Sequence, residues 1–345
     1  MNREKAVKPK AIVDPFPRTL ELLFNPDDLK RLKALVGLTV WEVGRMPAEM
    51  VDEHLVEASV VIGQTDLPRE RLERAKKLKA IINVEGNFQP NIDYEYCLQR
   101  GIHVLGAGVA FGKAVAEMSL GMALALARGI PEADRLFRQG REVYGRLSNQ
   151  QSFLLSGAEV GFIGFGNLGR ALIKLLEPFH CHVRVYDPWL PPRWLAEFGM
   201  APASLDAVLS ASQVVFVLAG ATAENQAMIG RRELNLMQKG GCLVLTSRAS
   251  LVDFDALTAK LRRGEIRAAV DVFPQEPFAK HHPLRKLDNV IFSAHRAGSL
   301  PAAYRLMGEM IVDDLGQILN GLPPLRLQRA ERETVARMRS MAIKK

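Results

Sequence analysis

The stretch Val160-Gly161-Phe162-Ile163-Gly164-Phe165-Gly166-Asn167-Leu168-Gly169 decides the fold. It reads as a buried strand, a glycine turn and the start of a helix reaching Leu176. Gly164, Gly166 and Gly169 keep the G-x-G-x-x-G spacing. The first glycine permits a tight turn, the second lets a pyrophosphate approach the backbone, and the third lets the helix pack close to the strand. The helix N-terminus then faces the phosphates. Such a turn alone is weak evidence of a nucleotide site. Eighteen residues after Gly169, however, the strand 182–186 runs into Asp187, where a ribose hydroxyl needs an acid. The motif also begins near residue 160, so the chain builds something else before its nucleotide fold.

On the C-terminal side the alternation of strand and helix continues. Strands are predicted over 214–218, 242–246, 266–270 and 290–293, and a helix over 302–319 stops at Asn320-Gly321. On the N-terminal side, strands over 39–43, 60–63, 80–84 and 103–105 alternate with helices, one of them over 69–77. Asn25-Pro26-Asp27-Asp28 reads as a capped helix start. Residues 1–20, with prolines at 9, 15 and 17, read as an extended arm. The fold class is therefore α/β, with two doubly wound parallel sheets.

A chain of 345 residues accommodates two cores. Its 48% hydrophobic and 24% charged content is ordinary for a globular protein. The apolar run Met118 to Ala127 reads as too short to span a bilayer, and the first residues lack the apolar core of a signal peptide. The three cysteines show no metal-ligand spacing, so no metal is expected and a reducing cytoplasm is. The net charge of +8 comes without a groove-reading motif. It reads as a basic surface that attracts anionic ligands, not as a nucleic-acid or membrane binder. The basic run 326–345 reads either as an oligomer contact or as a loose tail.

Three polar residues follow predicted strands of the second half: Arg248, Glu276 and His295. In an open α/β sheet, ligands bind at the carboxyl ends of strands. An imidazole there can exchange a hydroxyl proton, a carboxylate can orient the ring, and a guanidinium fork suits a substrate carboxylate and its neighbouring carbonyl. The set suits hydride transfer on a 2-hydroxy acid.

With those residues in view, the segment Gly161 to Gly298 resembles the D-isomer-specific 2-hydroxyacid dehydrogenase family, whose Arg, Glu and His follow in this order. Leu78 to Ile82, Gly86 to Asp93 and Ala114 to Glu117 add to the similarity. The resemblance implies a nucleotide domain inserted into a substrate domain: 1–112 and 298–345 for substrate, 113–297 for NAD. It implies that Gly164, Gly166, Asn167, Leu168 and Gly169 hold the pyrophosphate and Asp187 the adenosine ribose. Thr246 and Arg248 would line the nicotinamide ribose side, Asp271 would take the carboxamide, and His295 and Gly298 would also face the cofactor. Asp187 favours NAD over NADP, with NADP kept open by the nearby Arg193. Glu85, Gly86, Asn87, Arg248 and Arg296 are the expected substrate contacts.

Departures from the family pattern concern substrate. Phe88 stands in place of a glycine and is expected to narrow the pocket; Pro90 replaces an acid. Glu85 would repel an anionic substrate unless it points away or accepts a hydroxyl. Arg296 would bind a second anionic or polyol group, or else form a surface salt bridge. Gly63-Gln64 lacks the arginine expected for a phosphorylated acid, and no regulatory domain is expected beyond residue 345. The resemblance also implies a homodimer formed through 114–145. An alternative reading remains an NAD(H)-sensing, corepressor-like binding protein with little turnover.

Overall fold

In the computed structural model, which describes residues 8–337, the strands gather into two separate sheets. Strands β1 (Lys10–Asp14), β2 (Gly37–Val40), β3 (Ala58–Gly63), β4 (Ala80–Asn83) and β5 (His103–Gly106) belong to unit 1. Unit 2, Gly112–Ser299, holds β6 (Glu159–Ile163), β7 (His182–Tyr186), β8 (Ala201–Pro202), β9 (Val214–Val217), β10 (Cys242–Leu245), β11 (Arg267–Val270) and β12 (Val290–Phe292). From Leu300 onward the chain returns to unit 1 and adds β13 (Gln328–Arg329).

Unit 1 has the order β13-β5-β4-β3-β1-β2 and unit 2 the order β12-β11-β10-β9-β6-β7-β8. Their pairs are parallel except β5 with β13. The central strands are short and dominated by Val, Ile, Leu and Ala, buried on both faces as parallel strands must be. Each such Val, Leu or Ile contributes about 1.5–3 kcal/mol by leaving water.

Residues 8–20 correct the expectation of an arm. Ala11, Ile12 and Val13 are at most 1% exposed, and β1 lies between β2 and β3. Pro9 and Pro15 frame the strand without interrupting its ladder. Close approach continues past its end: a Cβ on Gly63, at φ +135°, would lie 1.9 Å from the Asp14 carbonyl oxygen. Residues 1–7 of the expected arm lie outside the described residues.

The helix Gly112–Arg128 opens unit 2. With the turn before it, Ala107–Arg128 is long and apolar enough to cross a membrane, which corrects the reading of a shorter run. Its Val115, Ala116, Ser119, Met122, Ala123, Leu126 and Ala127 are buried, as in a core helix. In unit 1, Pro26–Leu35 is capped by Asn25, whose Oδ1 accepts from the Asp28 N–H at 2.7 Å. The helix Pro301–Leu319 passes so close to Leu23 that a Cβ on Gly308 would lie 2.0 Å from its carbonyl oxygen. After it, residues 326–329 are tied down, and Arg332–Arg337 forms a further helix. The rest of the expected basic tail, 338–345, lies outside the described residues.

Candidate functional site

The turn after β6 is built from three glycines that meet different demands. A Cβ on Gly164, at φ +90°, would lie 2.6 Å from Ala219 Cα, and one on Gly169 would lie 2.8 Å from the Phe165 ring. Gly166 has φ −83°, and a Cβ there would meet no protein atom within 4 Å. The first and third glycines are thus required by the protein's own packing. The second leaves open space beside the N-terminus of the helix Asn167–Leu176. Asn167 is the first residue of that helix, and Leu168 packs on the core behind it. Asp187, just past β7, accepts from the Phe165 N–H at 2.9 Å and from the Trp189 N–H at 3.0 Å. Its carboxylate is therefore fixed against the glycine turn. Arg193 is exposed, with no ion pair among the described residues. An open glycine, a helix N-terminus and a fixed acid together fit a dinucleotide.

Three adjacent parallel strands, β10, β11 and β12, carry the remaining candidates at their carboxyl ends. His295 Nδ1 lies 2.7 Å from Glu276 Oε2, while the other oxygen of Glu276 accepts from the Phe273 N–H at 3.1 Å. The carboxylate is held by backbone on one side and aligns the imidazole on the other. His295 itself has φ +51°, a left-handed conformation that costs a non-glycine residue about 1–3 kcal/mol. Asp271 offsets this cost. Its carbonyl oxygen accepts from the His295 N–H at 2.6 Å, and its carboxylate accepts from the N–H groups of Arg296 and Ala297 at 3.0 and 3.1 Å. This aspartate is 1% exposed and clasps the whole histidine loop. Gly298 follows within that loop, partly exposed.

Arg248 lies three residues past β10, partly exposed, and its Nη1 donates to the Ser247 carbonyl at 2.7 Å. Thr246 is 4% exposed and shares a 2.8 Å hydrogen bond with the Ser119 hydroxyl on the helix Gly112–Arg128. Arg296 is exposed, and its side chain has no ion pair among the described residues. Sequence reasoning missed the parts of Ser119, of the Phe273 N–H and of Asp271 as a clasp. Each is a contact whose distance in sequence leaves no local pattern. Among the described residues no His, Cys, Asp and Glu side chains gather into a metal-ligand cluster.

Glu85, Gly86 and Asn87 lie in unit 1, in the loop after β4. Glu85 makes a two-bond ion pair with Arg18, at 2.7 and 3.3 Å. A Cβ on Gly108 would lie 2.5 Å from the Gly86 carbonyl oxygen, so the next loop pins this one. Asn87 offers its carbonyl to the Asn83 side chain at 3.3 Å. Phe88, expected to narrow a pocket, lines a cavity in unit 1 together with Gln89, Pro90, Tyr94 and Leu98. Its ring is 3% exposed and packs edge-on against Tyr94 within the core of unit 1.

Against known proteins, residues 120–297 match the profile of the D-isomer specific 2-hydroxyacid dehydrogenase NAD binding domain. The chain belongs to that family. The matched span lies within unit 2, and NAD(H) is the cofactor of this domain type. The chain is similar to a family member described as a glyoxylate reductase from Thermofilum pendens, 34% identical over 74% of this chain and 76% of the relative. It is 32% identical to D-3-phosphoglycerate dehydrogenase of Methanocaldococcus jannaschii, over 86% of this chain and 56% of that one. The chain thus spans about half the length of the first phosphoglycerate dehydrogenases it matches, those of Methanocaldococcus jannaschii and Archaeoglobus fulgidus. Among solved structures of this kind, a phosphoglycerate oxidoreductase from Rhizobium etli aligns with a TM-score of 0.85 and 44% identity, covering 95% of this chain and 100% of that one.

Proposed function

We propose that this chain is an NAD-dependent oxidoreductase that interconverts a small D-2-hydroxy acid and its 2-oxo acid. The observation that carries the reading is the His295–Glu276 pair, anchored by the Phe273 N–H at the end of a sheet whose first turn fits a dinucleotide. Bound NAD(H) supplies the hydride acceptor or donor. The Nδ1 proton of His295 is held by Glu276, so Nε2 is the nitrogen that takes the hydroxyl proton in oxidation and returns it in reduction. Arg248 holds the substrate carboxylate through its planar fork and polarises the adjacent carbonyl. The glycine turn seats the pyrophosphate, Thr246 and Asp271 serve the nicotinamide end, and Asp187 accepts from the adenosine ribose, disfavouring a 2′-phosphate. Unit 1 is the substrate unit in this reading, with Glu85, Gly86 and Asn87 as contacts. The enzyme works in the cytoplasm as a homodimer.

The test is NADH consumption with glyoxylate, hydroxypyruvate, pyruvate and sugar-derived 2-oxo acids. His295→Ala and Arg248→Ala should each lower kcat/KM by at least about a hundredfold. NADH affinity, measured by fluorescence titration, should stay within a few-fold. Near-normal turnover by His295→Ala would remove the mechanism. Wild-type silence across the panel alongside tight NADH binding would favour a corepressor-like sensor.

A further inference from the structure

The loop after β4 carries a carboxylate where a family member working on anionic acids has reason to avoid one. Glu85 is fixed at both ends. Its backbone N–H donates to Asn83 Oδ1 at 2.7 Å, and that oxygen also accepts from Gln64 Nε2 at 2.7 Å. Asn83 and Gln64 are 1% and 3% exposed, so this support lies within the core of unit 1. At the other end Arg18 grips the carboxylate with both Nη atoms. The guanidinium carbon lies 5.4 Å from the Tyr304 ring centre and 6.0 Å from that of Phe111. Those two rings meet edge to face at 6.0 Å.

Which member of the pair meets a ligand follows from exposure. The Arg18 side chain is 11% exposed and that of Glu85 is 30%. Aromatic rings cover the guanidinium, and its terminal nitrogens already bind Glu85. The carboxylate is the group presented to solvent. A carboxylate accepts hydrogen bonds and donates none, and it repels a second anion. The adjacent Arg18 guanidinium repels an ammonium group brought up to the same carboxylate. The partner that remains favourable is a neutral hydroxyl.

We propose that Glu85, oriented by Arg18, is a specificity-determining residue that reads hydroxyl groups, so that the substrate is a polyhydroxy 2-oxo acid and not a phosphorylated one. The proposal rests on the reading of unit 1 as the substrate unit. Arg18 is a positioning residue in it, acting through Glu85.

The experiment compares kcat/KM for 2-oxogluconate, 3-phosphohydroxypyruvate and glyoxylate in the wild type, Glu85→Gln and Arg18→Lys. Far-UV circular dichroism and thermal unfolding of each variant report whether it has folded. The wild type should prefer the sugar acid over the phosphorylated acid. Glu85→Gln keeps the shape but removes the charge, and it should lower that preference about tenfold, the weight of one hydrogen bond to a charged acceptor. Arg18→Lys keeps a cation but loses the fork. It should erode the same preference through KM, with kcat nearly unchanged. A wild-type preference for the phosphorylated acid, or a ratio that moves less than threefold in Glu85→Gln, overturns the proposal. Turnover of glyoxylate in that case leaves the proposed function standing. No wild-type turnover of 2-oxogluconate overturns the proposal, and the proposed function falls only if hydroxypyruvate and pyruvate are silent as well.

Discussion

A Cβ at Gly161 would lie 2.6 Å from the Ser212 hydroxyl oxygen and 2.7 Å from a Val208 methyl, whereas one at Gly166 would meet nothing. The two glycines sit in one strand and turn yet answer to different constraints. Gly161 serves packing, so Gly161→Ala should destabilise the fold by about 1–3 kcal/mol through overpacking. Gly166 has an ordinary φ and open space, so Gly166→Val should leave Tm within a few degrees of the wild type and weaken NADH binding by tenfold or more. Thermal unfolding and NADH titration of both variants check this pair, and equal NADH affinity in Gly166→Val would remove the turn from the cofactor site. The spacing of the motif was legible in sequence, but which glycine faces a ligand was not. That distinction depends on Ser212, Val208 and Ala219, each more than forty residues away. Arg18 and Glu85 pose the same problem: nothing local marks a residue as partner to another 67 positions on.

Among the elements, strands made of β-branched residues were legible because both faces of a parallel strand must be apolar. The strand over 182–186 has the bounds read from sequence, while β2 lies at Gly37–Val40 where 39–43 was expected. β1 escaped because the prolines flanking it signal irregular chain, and only pairing with β2 and β3 turns Lys10–Asp14 into an inner strand of a sheet. Residues 325–327 show a similar dependence on distant contacts. They are held by Asp314 of the helix Pro301–Leu319, which is 0% exposed and accepts from the N–H groups of Leu325, Arg326 and Leu327 at 2.7–3.1 Å. Asp314→Ala leaves three backbone donors without their acceptor, at about 1–3 kcal/mol for each one that water cannot reach. The expected outcome is a fall in Tm of several degrees and faster amide exchange at 325–330, while exchange in unit 2 stays as in the wild type. Unchanged protection of that segment would show that the β5–β13 pairing alone fastens it.

At the scale of the whole molecule, a run of exposed apolar side chains bears on assembly. The helix Ile130–Arg138 has no buried residue, yet Ile130 is 54% exposed and Phe137 62%. Val143, Tyr144 and Leu147 follow at 52%, 77% and 65%. We propose these exposed apolar side chains as the contact surface of a homodimer. The sequence pointed to 114–145 for a homodimer only through resemblance, because periodicity cannot tell a face that meets the core from one that meets a second copy. Light scattering at tens of micromolar should give twice the 38.2 kDa chain mass for the wild type. Phe137→Glu combined with Leu147→Glu places a charge into any such interface and should yield a monomer, since an unpaired buried charge costs several kcal/mol. Both positions are exposed in the single chain, so the far-UV spectrum and NADH affinity should persist. A wild type that stays monomeric, or a double variant that stays dimeric, would assign these side chains to another role.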